Sequence, residues 1–428
     1  MRAALLITLV AFGSFAQGRF DRFNARTSQG RSTRGFEQSN YAYFEFAPSS
    51  GAGMGTACAC TTPTGAKGEA MTFTRAGDAT CSKQGLATTG IANGDLVVCT
   101  ANQPRVESSG GVLGLRVEGS RTNETLRSQE FDNAAWVATV AGIAASTVTA
   151  NFAVAPDGTA TADRIQIPAC PAVGNASGVN QNSLTIASPS SSSVYLKANA
   201  GTPSVSICMY GIATGTRACT QFALNTSTWT RAVVPNVTNT GGMNMEIACE
   251  NRTVSYTGAT NTGAADILVW GAQSEGGSYA TSYIPTVAAA VTRNADSALT
   301  GTLSPGVGPS FCLAGSAEWP SSLVTTGVVA QLGTAAPDLA SIGRSTNTAA
   351  SLVINATTTT PAVAAIGTSV SRALLADASG TRSAFWNAGS VAAPAASMTG
   401  SPTAVTIGAV DSITTRVQVD PSPSRCTP

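Results

Sequence analysis

Between Asp163 and Trp270 the chain repeats one kind of segment: a short run of β-branched, aromatic or alternating apolar residues, closed by a turn. The runs are DRIQI (Asp163–Ile167), SVYLKA (Ser193–Ala198), SVSICMYG (Ser204–Gly211), CTQFAL (Cys219–Leu224), TRAVV (Thr230–Val234), MNMEIAC (Met243–Cys249) and DILVW (Asp266–Trp270). The separators, such as APDGTA, GIATGT and YTGATNTGA, are built from Gly, Asn, Asp and Thr. No window carries a ten-residue apolar repeat of helical period, so the pattern predicts antiparallel strands closed into a sandwich or jelly roll.

A second set of strands follows TGTLSPGVGPS. It comprises FCLAGSAEW, TGVVAQLG, ASLVIN, SRALLAD, SAFWNAGSV, AVTIGA and TRVQVD, and it predicts a second sandwich over 303–428. Residues 40–118 are β-rich but irregular, with YAYFEF, MTFTRA and VLGLRVEG as strand candidates. The expected class is all-β: tandem antiparallel sandwiches behind a loop-rich, disulfide-stapled N-terminal region. A length of 428 residues agrees, being too long for one core. The composition, 43% hydrophobic and only 11% charged with 43 glycines, suits a large extracellular β-protein. A net charge of +1 gives no reason to expect a nucleic-acid partner.

The N-terminus reads as a secretory signal over 1–16. Arg2 begins it, Ala3–Phe12 is its apolar stretch, and Ser14-Phe15-Ala16 is a small-x-small cleavage site before Gln17. Ten apolar residues are too few to span a bilayer, and no later segment is long and apolar enough, so export without a membrane span is expected. Residues 17–39 follow as a basic leader with five arginines, read as solvated and flexible rather than as an anion-binding arm. The ten cysteines fall in groups of four, four and two, each even, as expected if every unit closes its own disulfides. Cys312 and Cys426 form the last pair. Cys208 and Cys219, placed symmetrically about Ala213-Thr214-Gly215, suit a cross-hairpin bond, and Cys170 and Cys249 complete the middle group. The pairing of Cys58, Cys60, Cys81 and Cys99 stays open.

Three segments in order carry a resemblance: FTRAGDATC (Phe73–Cys81); LGLRVEGSRTNETLRSQEFDNAAW (Leu113–Trp136) with APDGTATADRI; and ILVWGAQSEGGSYATSYIPT (Ile267–Thr286) with AAAVTRNAD. The set resembles bacteriophage tail-fibre and head-spike proteins bearing a carbohydrate-binding-module-like jelly roll, here over 119–297. The part from 303 to 428, with AFWNAGSV and AVTIGA, is similar to laminin-G or concanavalin-like domains. The resemblance implies a surface protein that binds cell-surface or extracellular polysaccharide, or that assembles as a homo-oligomeric fibre or spike. It also implies a structural calcium ion, for which Glu130 and Asp266 occupy comparable positions. A signal peptide and many cysteines depart from the phage pattern and point to an exported protein built on a phage-like module.

Catalysis is not expected. The chain has no histidine, which removes Ser-His-Asp and Cys-His sites and every His-ligated metal. Oxidised cysteines offer no thiolate, and no phosphate-binding glycine loop occurs. Glycoside hydrolysis needs two carboxylates flanking the bond, yet Glu318 and Asp377 stand alone on their strands and read as solvated strand ends. Sugar binding needs less: an aromatic face for the pyranose C–H surface and nearby polar groups for its hydroxyls. Trp270, on a strand apolar on both sides, reads as core. Trp136, Trp229, Tyr210 and Tyr279 are the candidate contacts, with Trp136 and Trp229 expected to be the more exposed, and Tyr283 beside them.

Overall fold

The computed structural model describes residues 42–45, 71–82, 89–109, 112–238, 241–252, 256–257, 261–302 and most of 310–420. The expected signal peptide, the basic leader, Cys58, Cys60 and Cys426 lie outside the described residues, so the Cys312–Cys426 pairing does too. Among the described residues every regular element is a strand, and all strand pairings but one are antiparallel. The all-β expectation is met.

Two six-stranded sheets form the middle sandwich. Sheet I runs in the order Thr147–Ala153, Ala162–Ile167, Ala265–Gly276, Ser190–Ala198, Trp229–Val237, Thr89–Ile91. Sheet II runs Tyr256–Thr257, Thr216–Ala223, Ser204–Gly211, Met243–Glu250, Ala176–Leu184, Val137–Ala141. Period-two alternation decides which side chains meet between them. Along SVSICMYG, Val205, Ile207 and Met209 enter the shared core, as do Met245, Ile247 and Cys249 on the neighbouring strand. They meet Ile165, Val194, Leu196, Ile267 and Val269 of sheet I. Two disulfides belong to this sandwich. Cys208–Cys219 crosses the hairpin as the sequence predicts, and Cys170–Cys249 joins positions 79 apart.

Strand Ala265–Gly276 is buried on both faces from Ile267 to Glu275, because sheet I is covered on both along that stretch. Its outward Leu268 and Trp270 pack with Tyr195, Trp229 and Tyr283 under Ile91, Leu96 and Ala155. The cover includes a hairpin closed by the Cys81–Cys99 disulfide, a bond the sequence leaves unassigned. Gly271 is needed here. Its φ is +66°, the register against Ser190–Ala198 shifts beside it, and a Cβ would stand 3.1 Å from the Tyr195 ring.

Two further sheets form the second sandwich, and N-terminal strands complete both. Sheet III takes Val112–Val117 and Arg105–Ser109 beside Ser412–Asp420, on which Ala42–Glu45 also pairs. Sheet IV takes Met71–Thr72 beside Leu299–Thr302. Their common core runs from Leu115, Phe311, Leu313 and Leu375 to Ile342, Leu352 and Val405. Residues 40–118 therefore supply strands to the second sandwich and, through Thr89–Ile91, one to the first, rather than folding as a region of their own. The middle sandwich is an insertion, entered and left through a two-stranded ribbon in which Arg121–Asn123 pairs with Val291–Arg293. Asp377, expected as a solvated strand end, is fully buried. It is the register partner of Phe311 on one side and Arg382 on the other, which puts it inside sheet III.

Candidate functional site

The four aromatic candidates do not share a surface role. Trp136 is 6% exposed. Its ring lies 4.6 Å from Phe131, and its Nε1 donates to the Arg127 carbonyl at 3.1 Å. Trp229 is fully buried and donates from Nε1 to Asn93 Oδ1 at 2.8 Å. Both were expected to be exposed and both are core. Each buried indole finds the hydrogen-bond partner it requires outside the polar stretch around it, Arg127 for Trp136 and Asn93 for Trp229. Tyr283 is buried with its hydroxyl 2.6 Å from Ser128 Oγ, and burial pushes its phenol up well beyond the usual range. Tyr279 is half-buried against Arg121, whose guanidinium lies 5.5 Å from the ring centroid. Tyr210 is half-buried on the outward face of a sheet, beside residues that are mostly buried.

That face is the outside of sheet II, and its registers define a grid. In one row Arg217, Tyr210 and Asn244 lie side by side on three strands. In the next are the Cys219–Cys208 bridge, Glu246 and Asn180. In the third are Gln221, Ser206, Ala248 and Gly178. Gly178 keeps that last row flat, since a Cβ there would come within 2.1 Å of the Ile247 carbonyl oxygen. The polar groups are held rather than loose. Arg217 lies 4.1 Å over the Tyr210 ring and donates from Nε to Glu246 at 3.2 Å. Arg252 reaches the same Glu246 oxygen at 2.8 Å and also pairs with Glu250. Thr139 donates to Asn180 at 3.2 Å, and Asn180 donates to the exposed Asn182. Burial would lower the Arg252 guanidinium, but its bonds to Glu250 and Glu246 raise it, so it stays charged.

The same face brings Cys208 Sγ and carboxylate oxygens of Glu246 and Glu250 within 4.8 Å of one another. This set does not fit a cation. The sulfur is in a disulfide and cannot be a thiolate, and both carboxylates are already neutralised by Arg217 and Arg252. The pair expected to hold calcium is likewise engaged. Glu130 bonds Arg127 at 3.0 Å, and Asp266 bonds Arg164 at 2.7 Å. Neither belongs to a three-ligand cluster among the described residues, whereas Ca²⁺ takes about six to eight oxygens.

The sequence motifs themselves converge elsewhere, at the ribbon that joins the sandwiches. Arg75 of FTRAGDATC, Arg116 and Glu118 of LRVEG, and Arg293 and Asp296 of VTRNAD meet Arg105 in one solvent-excluded cluster. Arg105 bonds Glu118 at 2.8 Å and also bonds Asp296, which Arg75 reaches at 3.1 Å. Ser282 of ATSYIPT donates its amide and hydroxyl to Glu118. Burial by itself would raise the Glu118 carboxyl, but the guanidiniums of Arg105, Arg293 and Arg116 and the Ser282 hydroxyl hold it well below the usual range. A short distance away buried Glu275 accepts from Thr281 at 2.7 Å, and burial raises its carboxyl. Segments that are far apart in the sequence thus meet to build the joint.

No protein-family model matches the chain, and no curated protein matches it. Among solved structures, Trypanosoma rangeli sialidase is similar with a TM-score of 0.24 and 10% identity, over 76% of this chain and 62% of that one. The same sialidase in complex with sialic acid gives a TM-score of 0.24 and 10% identity, over 78% of this chain and 74% of that one. This chain thus spans less than two thirds of the first of these, and likeness at so low a TM-score carries no inference about it.

Proposed function

We propose that the chain is a secreted, non-catalytic glycan-binding protein whose middle sandwich, carbohydrate-binding-module-like, presents the outside of sheet II to polysaccharide. The observation that supports this is the grid of fixed donors and acceptors around Tyr210. Half-buried Arg217, Tyr210 and Asn244 lie in one row and offer guanidinium, phenol and amide groups to vicinal hydroxyls. Exposed Asn182 is bonded to Asn180 of the next row, while Glu246 and Asn180 are themselves buried and hold Arg217 and Asn182 in place. Three disulfides among the described residues fit an oxidising, extracellular setting, and no helix among them is long and apolar enough to cross a membrane. The test is a glycan array probed with the full chain, repeated with Tyr210→Ala and Asn182→Ala. Retained far-UV circular dichroism with at least tenfold weaker binding supports the proposal. The absence of any glycan bound by the wild type overturns it.

A second reading, a structural fibre or spike component, is favoured by the buried joint. A solvent-excluded charge cluster lies at the two-stranded ribbon, as a stiff joint between sandwiches would require. A stable trimer by light scattering, without glycan binding, would support that reading instead.

A further inference from the structure

The other outer face of the middle sandwich is open at one end. Leu268 and Trp270 on sheet I are covered, but Asp266, two residues earlier on the same strand, is not. At that end stands Phe152, 47% exposed, the only aromatic side chain among the large apolar groups exposed in the described residues. Its exposure is built into the strand. Thr147–Ala153 breaks register between Thr149 and Ala153, and Asn151 at its centre has a φ of +51°. The Asn151 amide is tied at 2.8 Å to buried Asp163, which also accepts from the Phe131 amide at 2.7 Å. Bulges of this kind re-aim side chains. A non-glycine residue held in the left-handed region needs support from its surroundings, and Asp163 supplies it.

The ring has a polar neighbour in a fixed position. The Arg164 guanidinium lies 5.0 Å from the Phe152 centroid, on one face of the ring. Arg164 is locked by a two-pronged bond to Asp266, Nε to Oδ1 at 2.8 Å and Nη2 to Oδ2 at 2.7 Å. Asn199 donates from Nδ2 to Asp266 Oδ2 at 3.0 Å, and exposed Gln166 is the register partner of Asp266. Bonding to Arg164 draws the Asp266 carboxyl below its usual range, against the smaller opposing effect of burial, so it remains an acceptor. A lone exposed ring beside an ion pair is not an apolar docking patch. An exposed aromatic ring can stack on the C–H face of one pyranose, and the neighbouring Arg164–Asp266 pair with Asn199 bonded to it supplies donors and acceptors for hydroxyls.

We propose that Phe152, Arg164, Asp266 and Asn199 form a second pyranose-stacking site on sheet I, so that a single chain holds two sugars on opposite faces of one sandwich. The two-sugar part rests on the glycan reading of sheet II; the Phe152 site stands without it.

The full chain is titrated with the methyl glycosides of glucose, galactose, mannose and N-acetylglucosamine, followed by saturation-transfer NMR and calorimetry. Wild type should bind a glycoside at two sites. Phe152→Ala should remove one of them, weakening its binding at least tenfold with no change in melting temperature, and Phe152→Trp should retain it. Unchanged binding in Phe152→Ala overturns the Phe152 site. If Tyr210→Ala then abolishes binding, the sheet II reading survives that failure. Binding lost in Phe152→Ala but unaffected by Tyr210→Ala supports this site and removes the sheet II one. No glycoside bound by wild type overturns both.

Discussion

Arg75 and Asp296 lie 221 residues apart in the chain and bond at 3.1 Å, with both side chains shut off from solvent. Asp296 is shared with Arg105, so one carboxylate ties the N-terminal segment, sheet III and the exit of the inserted sandwich together. Removing one partner of such a cluster leaves buried charge uncompensated, at a cost of about 3–5 kcal/mol. Asp296→Asn should therefore lower unfolding stability by that amount in urea titration. A change below about 1 kcal/mol would show that the cluster is not holding the joint.

The acid response of the protein should run through Glu118. Its folded-state carboxyl titrates well below the ordinary 4.5, so folding favours the ionised form. The stability it contributes is complete above the unfolded value and is lost as pH falls through the folded one. Between about pH 6 and about pH 3 the wild type should lose stability more steeply than Glu118→Gln, although the variant starts lower. Parallel stability–pH curves from chemical denaturation would exclude this role.

The two disulfides of the middle sandwich should contribute unequally. Cys170–Cys249 closes a separation of 79 and Cys208–Cys219 one of 11. Chain entropy gives about 4–5 and about 3 kcal/mol respectively. The double variant Cys170→Ala/Cys249→Ala should melt at a lower temperature than Cys208→Ala/Cys219→Ala. Calorimetry giving the reverse order would mean that native packing, not loop closure, sets the difference.

Trp229 should behave as core. Trp229→Ala removes a fully buried ring, so a loss of about 3–5 kcal/mol is expected. Intrinsic fluorescence should show Trp229 shielded from iodide. Efficient quenching of the Trp229 contribution, assigned by Trp229→Phe, would contradict the burial.

The strand runs with clear alternation were legible: Val205, Ile207 and Met209 announce both their strand and its inner face. Ala176–Leu184 was not. Val179 and Leu184 are its only large apolar residues, and its place between two strands comes from backbone pairing rather than side-chain pattern. Tyr210 could be picked as a surface aromatic beside a cross-hairpin disulfide. Glu246, Asn180 and Arg217 could not, because they come together only once four strands are in register. Phe152 gave no signal either, since its exposure depends on a bulge whose anchor, Asp163, lies on the next strand.

Local chemistry was enough for the all-β class, the cross-hairpin Cys208–Cys219 bond and the core role of Trp270, because each depends on alternation or spacing within a few residues. Which polar residues are buried, where Trp136 and Trp229 point, and how residues 40–118 are shared between the sandwiches were decided only in three dimensions. Burial and charge pairing there come from segments up to about two hundred positions apart, and no local pattern encodes which of them will meet.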